Sequence, residues 1–254
     1  MQTQEIKPEV SIVLLSLLRQ KDTQRCLESL FLHTNVPFEI IVVDMGGSED
    51  IAQWLAAMQN HHREIIVINN LTNIGTTKGR NQGVQAARGQ YIVFLDNDVE
   101  VTPDWLTPLL ACVESDKDIG ACGSKIISPK GEVMCAAPLI KSRYVNGELV
   151  ETGLEFTQRL QYDALEVNKQ EEVAWYPTTC LLLKRDVFTK IGGFDEQLFM
   201  CEEDKDLSFS IKHLGYKIMY VPTSTVYHLG NTKKKSDGNY YLGFSLKPSW
   251  NPFT

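Results

Sequence analysis

The stretch Tyr91-Ile-Val-Phe-Leu-Asp-Asn-Asp98 decides the fold. Its apolar, β-favouring residues predict a strand buried on both faces, as in parallel sheets. Asp96 and Asp98 stand immediately past the last apolar residue, at the strand end where open α/β sheets place their ligands. Two acids one residue apart can divide their labour, one holding a divalent cation and the other a neighbouring hydroxyl. Such a pair suits a substrate that carries a diphosphate, but the same residues also read as a solvated Asp-Asn-Asp turn. The surrounding chain separates the two readings.

Upstream, residues 11–18 (SIVLLSLL) form an apolar run too short for anything but a buried strand or helix start, and the helical pattern after it favours the strand. Asp22 or Thr23 can cap the next helix, whose Cys26, Leu27, Leu30 and Phe31 make one apolar stripe before Asn35 and Pro37 end it. Residues 38–43 are a second strand ending on Asp44. After the Gly46-Gly47 turn, Ser48 can cap a helix that buries Ile51, Trp54, Leu55 and Met58. Residues 64–68 are a third strand, and Asn73 to Gly83 (NIGTTKGRNQG) leads into a third helix. Strand and helix thus alternate up to Asp98, which predicts parallel strands joined by right-handed crossovers.

Downstream the texture changes. Thr102-Pro103-Asp104 predicts a helix start with proline at the first helical position. Residues 119–127 read as a strand, with Pro129-Lys130-Gly131 turning into another. The segment 139–172 carries no regular pattern and receives no assignment. Then come a strand at 179–183, a short helix at 186–191 stopped by Gly192-Gly193, a helix at 202–214, and two strands at 216–221 and 225–228. Residues 1–232 are read as one α/β domain and 233–254, polar and glycine-containing, as a mobile tail.

At 254 residues the chain can build one substantial domain. A formal charge of -7 argues against nucleic acid as partner, because phosphate neutralisation needs a basic face. The one basic run, Lys233-Lys234-Lys235, is a solvated segment or a contact for a diphosphate or an anionic membrane surface. The cysteines include no CxxC pair and sit among apolar neighbours, as small core residues of a reducing compartment do. No apolar run approaches the ~20 residues of a membrane span, so the expectation is a cytoplasmic protein, with peripheral association at the inner face of a membrane compatible with it.

Familiar nucleotide motifs are missing. No G-x-G-x-x-G follows residues 11–18, and Gly75-Thr-Thr-Lys-Gly-Arg80 lacks the G-K-[ST] ending of a phosphate loop. What remains is a set of acids and one histidine at predicted strand or helix ends: Asp44, Asp96, Asp98, Glu202-Glu203-Asp204 and His228. With Asn73-Ile-Gly75, Asn81-Gln-Gly83, Pro103-Asp-Trp-Leu106, Gly192-Gly-Phe-Asp-Glu196 and Val226-Tyr-His228 in this order, residues 11–228 resemble glycosyltransferase family 2, inverting enzymes of GT-A fold.

The resemblance implies a single GT-A domain: a Rossmann-like, mostly parallel central sheet flanked by helices, with a smaller acceptor-side sheet. Residues 9–100 would form the nucleotide-sugar half and 101–232 the acceptor half. It implies a donor site of Ser16, Asp44, Gly75, Arg80, Asp96 and Asn97, with Arg80 on the phosphate side. Asp98 and His228 would ligate Mn²⁺ or Mg²⁺, and Asp204 would be the general base that deprotonates an acceptor hydroxyl. Trp175, Thr178 and Glu203 would meet the acceptor, a glycan, a lipid-linked sugar or a protein. Each residue also has a plain reading: Asp204 as a first-turn helix acid, His228 as a hydrogen-bonded strand-end histidine, Trp175 as core.

The chain departs from the family pattern in three places. Leu15-Ser-Leu-Leu18 replaces the usual Pro-Thr-Tyr-Asn, Met45-Gly-Gly-Ser48 replaces Asn-Gly-Ser-Thr, and Thr178 stands where a glycine is usual. These bear on nucleobase and acceptor more than on the reaction. A sugar nucleotidyltransferase would need a Gly- and Arg-rich loop after the first strand, and 11–19 contains no glycine. A non-catalytic nucleotide-sugar or partner-binding domain is the other alternative, although Asp98 and Asp204 are both present.

Overall fold

The computed structural model describes residues 7–136, 139–145, 148–155, 160–230, 232–234 and 240–242, with side-chain surroundings for 7–136 and 160–230. Strand β1 (Val10–Ser16) is followed by α1 (Gln20–His33), β2 (Phe38–Met45), α2 (Glu49–His61), β3 (Ile65–Asn70), α3 (Thr76–Ala86) and β4 (Tyr91–Asp96). β1 pairs in parallel with both β2 and β4, and β2 with β3. The C-terminal ends of these strands therefore share one edge. The register makes Asp44 level with Ser16, and Asp96 level with Leu15.

Burial explains why the apolar runs become strands. Val10, Ile12, Leu14, Ile40 to Val43 and Ile92 to Phe94 are each at most 1% exposed, and each large side chain so covered contributes roughly 1.5–3 kcal/mol. The α1 stripe of Cys26, Leu27 and Leu30 is fully buried against them. Helix α3 lies unusually near β1, since a Cβ on Gly83 would fall 2.4 Å from Val13 Cγ1. Only glycine permits that approach. Two residues earlier, Asn81 Oδ1 accepts from Phe194 N at 2.9 Å while its Nδ2 donates to Phe194 O at 3.0 Å. The second Asn-x-Gly motif thus fastens α3 to β1 and to the later part of the chain.

After β4 come β5 (Val99–Val101), α4 (Thr107–Ser115), β6 (Ile119–Ile127), β7 (Val133–Cys135), β8 (Leu139–Val145), β9 (Glu148–Glu155), β10 (Glu171–Val173), β11 (Cys180–Lys184), α5 (Arg185–Ile191), α6 (Glu203–His213), β12 (Lys217–His228), β13 (Thr232–Lys234) and β14 (Tyr240–Leu242). One sheet of ten strands runs in the order β10-β12-β6-β11-β4-β1-β2-β3, with β5 added to β12 and β7 to β6. β11 is antiparallel to both β4 and β6, so it joins the parallel half to the second half. β8–β9 and β13–β14 form separate antiparallel pairs.

Several local expectations change. The helix placed at Thr102-Pro103 begins at Thr107, because Asp104 takes φ +58° and Trp105 drops into the core, fully buried, with Nε1 donating to Thr34 Oγ1 at 3.3 Å. The two last strands are one, β12, whose pairing with β6 shifts register between Val221 and Thr225, where Pro222 has no N–H to donate. Neither Asp22, Thr23 nor Ser48 makes a side-chain cap bond; Arg19 is the residue at the N-cap of α1. The segment left unassigned holds β8, β9 and β10. The expected mobile tail and its Lys235 lie outside the described residues, except for the strand pair β13–β14.

Candidate active site

The cluster at the C-terminal edge is assembled by the β5–β12 ladder. Val99 is opposite His228 in the antiparallel register, and Leu229 N donates to Asp98 O at 2.8 Å. The end of the last long strand is thereby locked beside the end of β4. Asp96, Asp98 and His228 each present a ligand atom, all within 4.8 Å of one another. Two carboxylates and an imidazole form a hard, mainly oxygen donor set, which fits Mn²⁺ or Mg²⁺.

Asp98 is 9% exposed. Its Oδ1 accepts from His228 Nε2 at 3.1 Å and its Oδ2 from Arg19 Nη1 at 2.7 Å. Burial pushes the Asp98 carboxyl up, but the His228 hydrogen bond and charge, with Arg19, outweigh it and hold the carboxyl below its ordinary value. Burial pushes His228 down, yet the hydrogen bond to Asp98 and the charges of Asp96 and Asp98 leave it raised. The guanidinium of Arg19 and the imidazole of His228 thus both bear on the same carboxylate.

A second set of charges lies beside the first. Arg80, on α3 and 6% exposed, points Nη2 at Asp96 Oδ1 (3.4 Å) and Nη1 at Glu203 Oε1 (3.2 Å), with Asp204 Oδ1 at 3.8 Å. Phe94 and Phe194 flank the guanidinium, at 5.8 and 5.7 Å from ring centroid to Cζ. Burial and the neighbouring Asp204 raise the Glu203 carboxyl, and Arg80 pulls it back. Asp204 is also raised, by burial first, against the pull of Arg80 and the hydrogen bonds of Thr178. Thr178 donates to Asp204 Oδ1 from its N–H at 3.1 Å and also from its hydroxyl.

Helix α6 delivers Glu203 and Asp204 in its first turn. It is entered through Cys201 at φ +73° and Glu202 at φ +67°, a left-handed step that costs a non-glycine residue roughly 1–2 kcal/mol. The step is held from outside: Thr76 N donates to Phe199 O at 2.8 Å and Thr77 Oγ1 to Leu198 O at 2.6 Å. Gly75, at φ +90°, makes room there, since a Cβ would fall 2.8 Å from Phe199 Cδ2. The first Asn-x-Gly motif therefore sets the approach to α6, with Gly75 N donating to Asn73 Oδ1 at 3.0 Å.

The remaining expected residues hold the frame. Ser16 is fully buried and shares a 3.4 Å hydroxyl contact with Thr23, whose Oγ1 also accepts from Asn97 Nδ2 at 2.8 Å. Asp44 is 2% exposed and accepts from Gly47 N at 2.9 Å, closing its own turn. Trp175 is 3% exposed, so its ring belongs to the interior of the ligand-free protein rather than to an open platform. Two features were missed from sequence: Arg19 on Asp98, and the pairing of Thr178 with Asp204. The signal for Arg19 was a cation directly after an apolar strand; the Thr178 pairing depends on tertiary contact and left none.

Residues 11–192 match the family described as glycosyl transferase family 2, and the chain belongs to it. An uncharacterized protein of Sinorhizobium fredii is 27% identical over 227 residues, 87% of this chain and 24% of its own length. An N-acetylglucosaminyl-diphospho-decaprenol L-rhamnosyltransferase of Mycobacterium tuberculosis is 28% identical over 222 residues, 81% of this chain and 71% of its own. The structure of GalNAc-T7 with UDP, GalNAc and Mn²⁺ superposes with a TM-score of 0.68 at 18% identity, covering 89% of this chain and 44% of that one. The fold is accordingly that of GT-A glycosyltransferases. The chain spans about a quarter of the length of the first of these relatives.

Proposed function

We propose that the chain transfers a sugar from a nucleoside-diphosphate sugar to an acceptor hydroxyl, with inversion at the anomeric carbon. The observation that carries this reading is the position of Arg80, which touches Asp96 of the cation cluster with Nη2 and lies 3.2 and 3.8 Å from Glu203 and Asp204 with Nη1. On this reading the two nitrogens of one buried guanidinium connect the side that would take the diphosphate with the carboxylate that would serve the acceptor.

Asp98 and His228, with Asp96, would hold the divalent ion, Mn²⁺ or Mg²⁺. Bound there, such an ion stabilises the negative charge that grows on the departing diphosphate. Asp96 would also hold ribose hydroxyls, and Asp44, Ser16, Gly75 and Asn97 would frame the nucleoside side. Asp204 takes the acceptor proton as the hydroxyl oxygen forms its bond to the anomeric carbon, and the electron pair of the broken sugar–phosphate bond leaves with the diphosphate. Burial raises its carboxyl, which suits a base that must hold a proton during the step, and Arg80 and the Thr178 hydrogen bonds pull the other way, toward the charged form. Thr178 and Glu203 would stand on the acceptor side, with Trp175 in the interior behind them.

The acceptor is a glycan, a lipid-linked sugar or a protein; the lipid-linked class agrees with the activity for which the mycobacterial relative is named. Among the described residues no helix is long and apolar enough to cross a membrane. Calorimetry with UDP, GDP and TDP, each with and without Mn²⁺, followed by a donor-hydrolysis screen over nucleotide sugars, tests the reading. Metal-dependent binding of one nucleotide is the expected outcome. Binding of none, at any metal concentration, would remove it.

A further inference from the structure

Thr178 stands where the resemblance leads one to expect glycine, and the structure gives its side chain a specific task. Thr178 is 2% exposed, and both of its donors, the N–H at 3.1 Å and the hydroxyl, converge on one oxygen, Oδ1 of Asp204. Arg80 Nη1 approaches the same oxygen, at 3.8 Å. No described residue donates a hydrogen bond to Oδ2. A glycine could supply the N–H but never the hydroxyl. The Asp204 side chain keeps 29% of its surface exposed, so the group is not sealed from a ligand.

We propose that Thr178 is a positioning residue for Asp204: by taking Oδ1 with both donors it fixes the carboxylate plane and dedicates Oδ2 to the acceptor hydroxyl. The inference rests on the reading of Asp204 as the base. In the step, the acceptor proton passes to Oδ2, the freed oxygen lone pair closes on the anomeric carbon, and the sugar–phosphate bonding pair departs on the diphosphate. A carboxylate with one oxygen pinned has lost its freedom of rotation, which is the orientational advantage that separates a poised base from a nearby one. A hydroxyl donating to the charged form also favours that form.

Other groups bear on the same carboxylate: Arg80 from α3, Asp96 from β4, Cys135 from β7, and Glu203 and Cys201 at the start of α6. The test therefore varies Thr178 alone. Aspartate carboxyl carbons labelled with ¹³C report the Asp204 titration in metal-free protein, assigned by its disappearance in Asp204→Asn. Parent, Thr178→Val and Thr178→Ser are compared, Val keeping shape and N–H but lacking the hydroxyl. Turnover of the donor found in the nucleotide-sugar screen is measured on the same proteins.

The expected result is a midpoint for Asp204 moved to higher pH in Thr178→Val, with turnover reduced about tenfold or more, as for a lost hydrogen bond to a charged group. Both return toward the parent in Thr178→Ser. A parental titration and turnover in Thr178→Val would overturn the inference, as would failure of serine to restore them. If Asp204→Asn is inactive while Thr178→Val turns over normally despite a shifted titration, the positioning role falls and the base stands. If Asp204→Asn turns over as the parent does, the base reading fails and this inference with it.

Discussion

Asp98 and His228 are 130 residues apart in sequence and 3.1 Å apart in space, joined through Oδ1 and Nε2. The short β5–β12 ladder makes the contact, with Val99 opposite His228. The imidazole and the carboxylate are thereby held on backbone hydrogen bonds rather than on a free loop, which is how a metal site keeps its ligands oriented before an ion arrives.

Asp98→Asn keeps the size of the side chain and removes its charge. Nucleotide affinity in Mn²⁺ is expected to fall by about a hundredfold, the upper end of what even supporting partners of metal ligands cost, while the circular-dichroism spectrum stays that of the parent. Calorimetry with and without Mn²⁺ checks it. Equal affinity and equal metal dependence in the variant would mean that Asp98 is not a ligand.

Arg19 competes for the same carboxylate. Its Nη1 lies 2.7 Å from Asp98 Oδ2, and its side chain is 38% exposed. A pair so open to solvent is worth no more than about 1 kcal/mol, enough to weaken metal binding roughly fivefold. Arg19→Gln should accordingly bind Mn²⁺ more tightly than the parent without nucleotide, by about that factor, in a titration followed by electron paramagnetic resonance. Weaker binding would assign Arg19 a supporting role instead of a competing one.

The parallel half of the sheet was legible because β1, β2 and β4 are continuous apolar runs, each buried on both faces, and β1 and β2 are each followed by an amphipathic helix. Asp96, Asp98, Asp204 and His228 were legible as acids and an imidazole at element ends. The β8–β9 hairpin was not, although Asn146-Gly147 lies between its strands and is a hairpin signal; charged and polar residues on both strands hid the alternation. Asp104 and Trp105 misled because proline after threonine reads as a helix start, whereas burial of the indole decided the backbone. The pairing of Arg80 with Glu203 spans 123 residues, and no local pattern encodes it.

Asp204 also has a consequence for stability. Burial raises its carboxyl above the ordinary 3.8 despite Arg80 and Thr178. The folded state then holds the proton more tightly than the unfolded chain, so the group favours folding below the unfolded value and opposes it once pH rises through the folded one. Asp204→Asn, neutral throughout and able to accept from Thr178, should be more stable than the parent at pH 7. The difference should vanish below about pH 4, where the unfolded carboxyl is protonated as well. Urea unfolding midpoints across that range test this, and a less stable variant at neutral pH would show that the folded carboxyl is not raised.

The order of effects among the acids at the start of α6 separates catalysis from scaffolding. Asp204, as base, should touch the acceptor and not the nucleotide, so Asp204→Asn is expected to leave nucleotide affinity near the parent's and to lower transfer about 10²–10⁴-fold. Glu203 is 7% exposed and paired with Arg80 at 3.2 Å. Glu203→Gln keeps a hydrogen-bond acceptor but halves the charge facing Nη1, so its effect should be smaller and should include a loss of stability. Glu202, with 57% of its side chain exposed beside Lys205, belongs to the solvated surface, and Glu202→Gln should change least. Transfer rates at saturating donor, beside nucleotide affinity for each variant, give the ranking. Full transfer by Asp204→Asn would end the assignment, and a larger loss at Glu203 would move the base one residue back along α6.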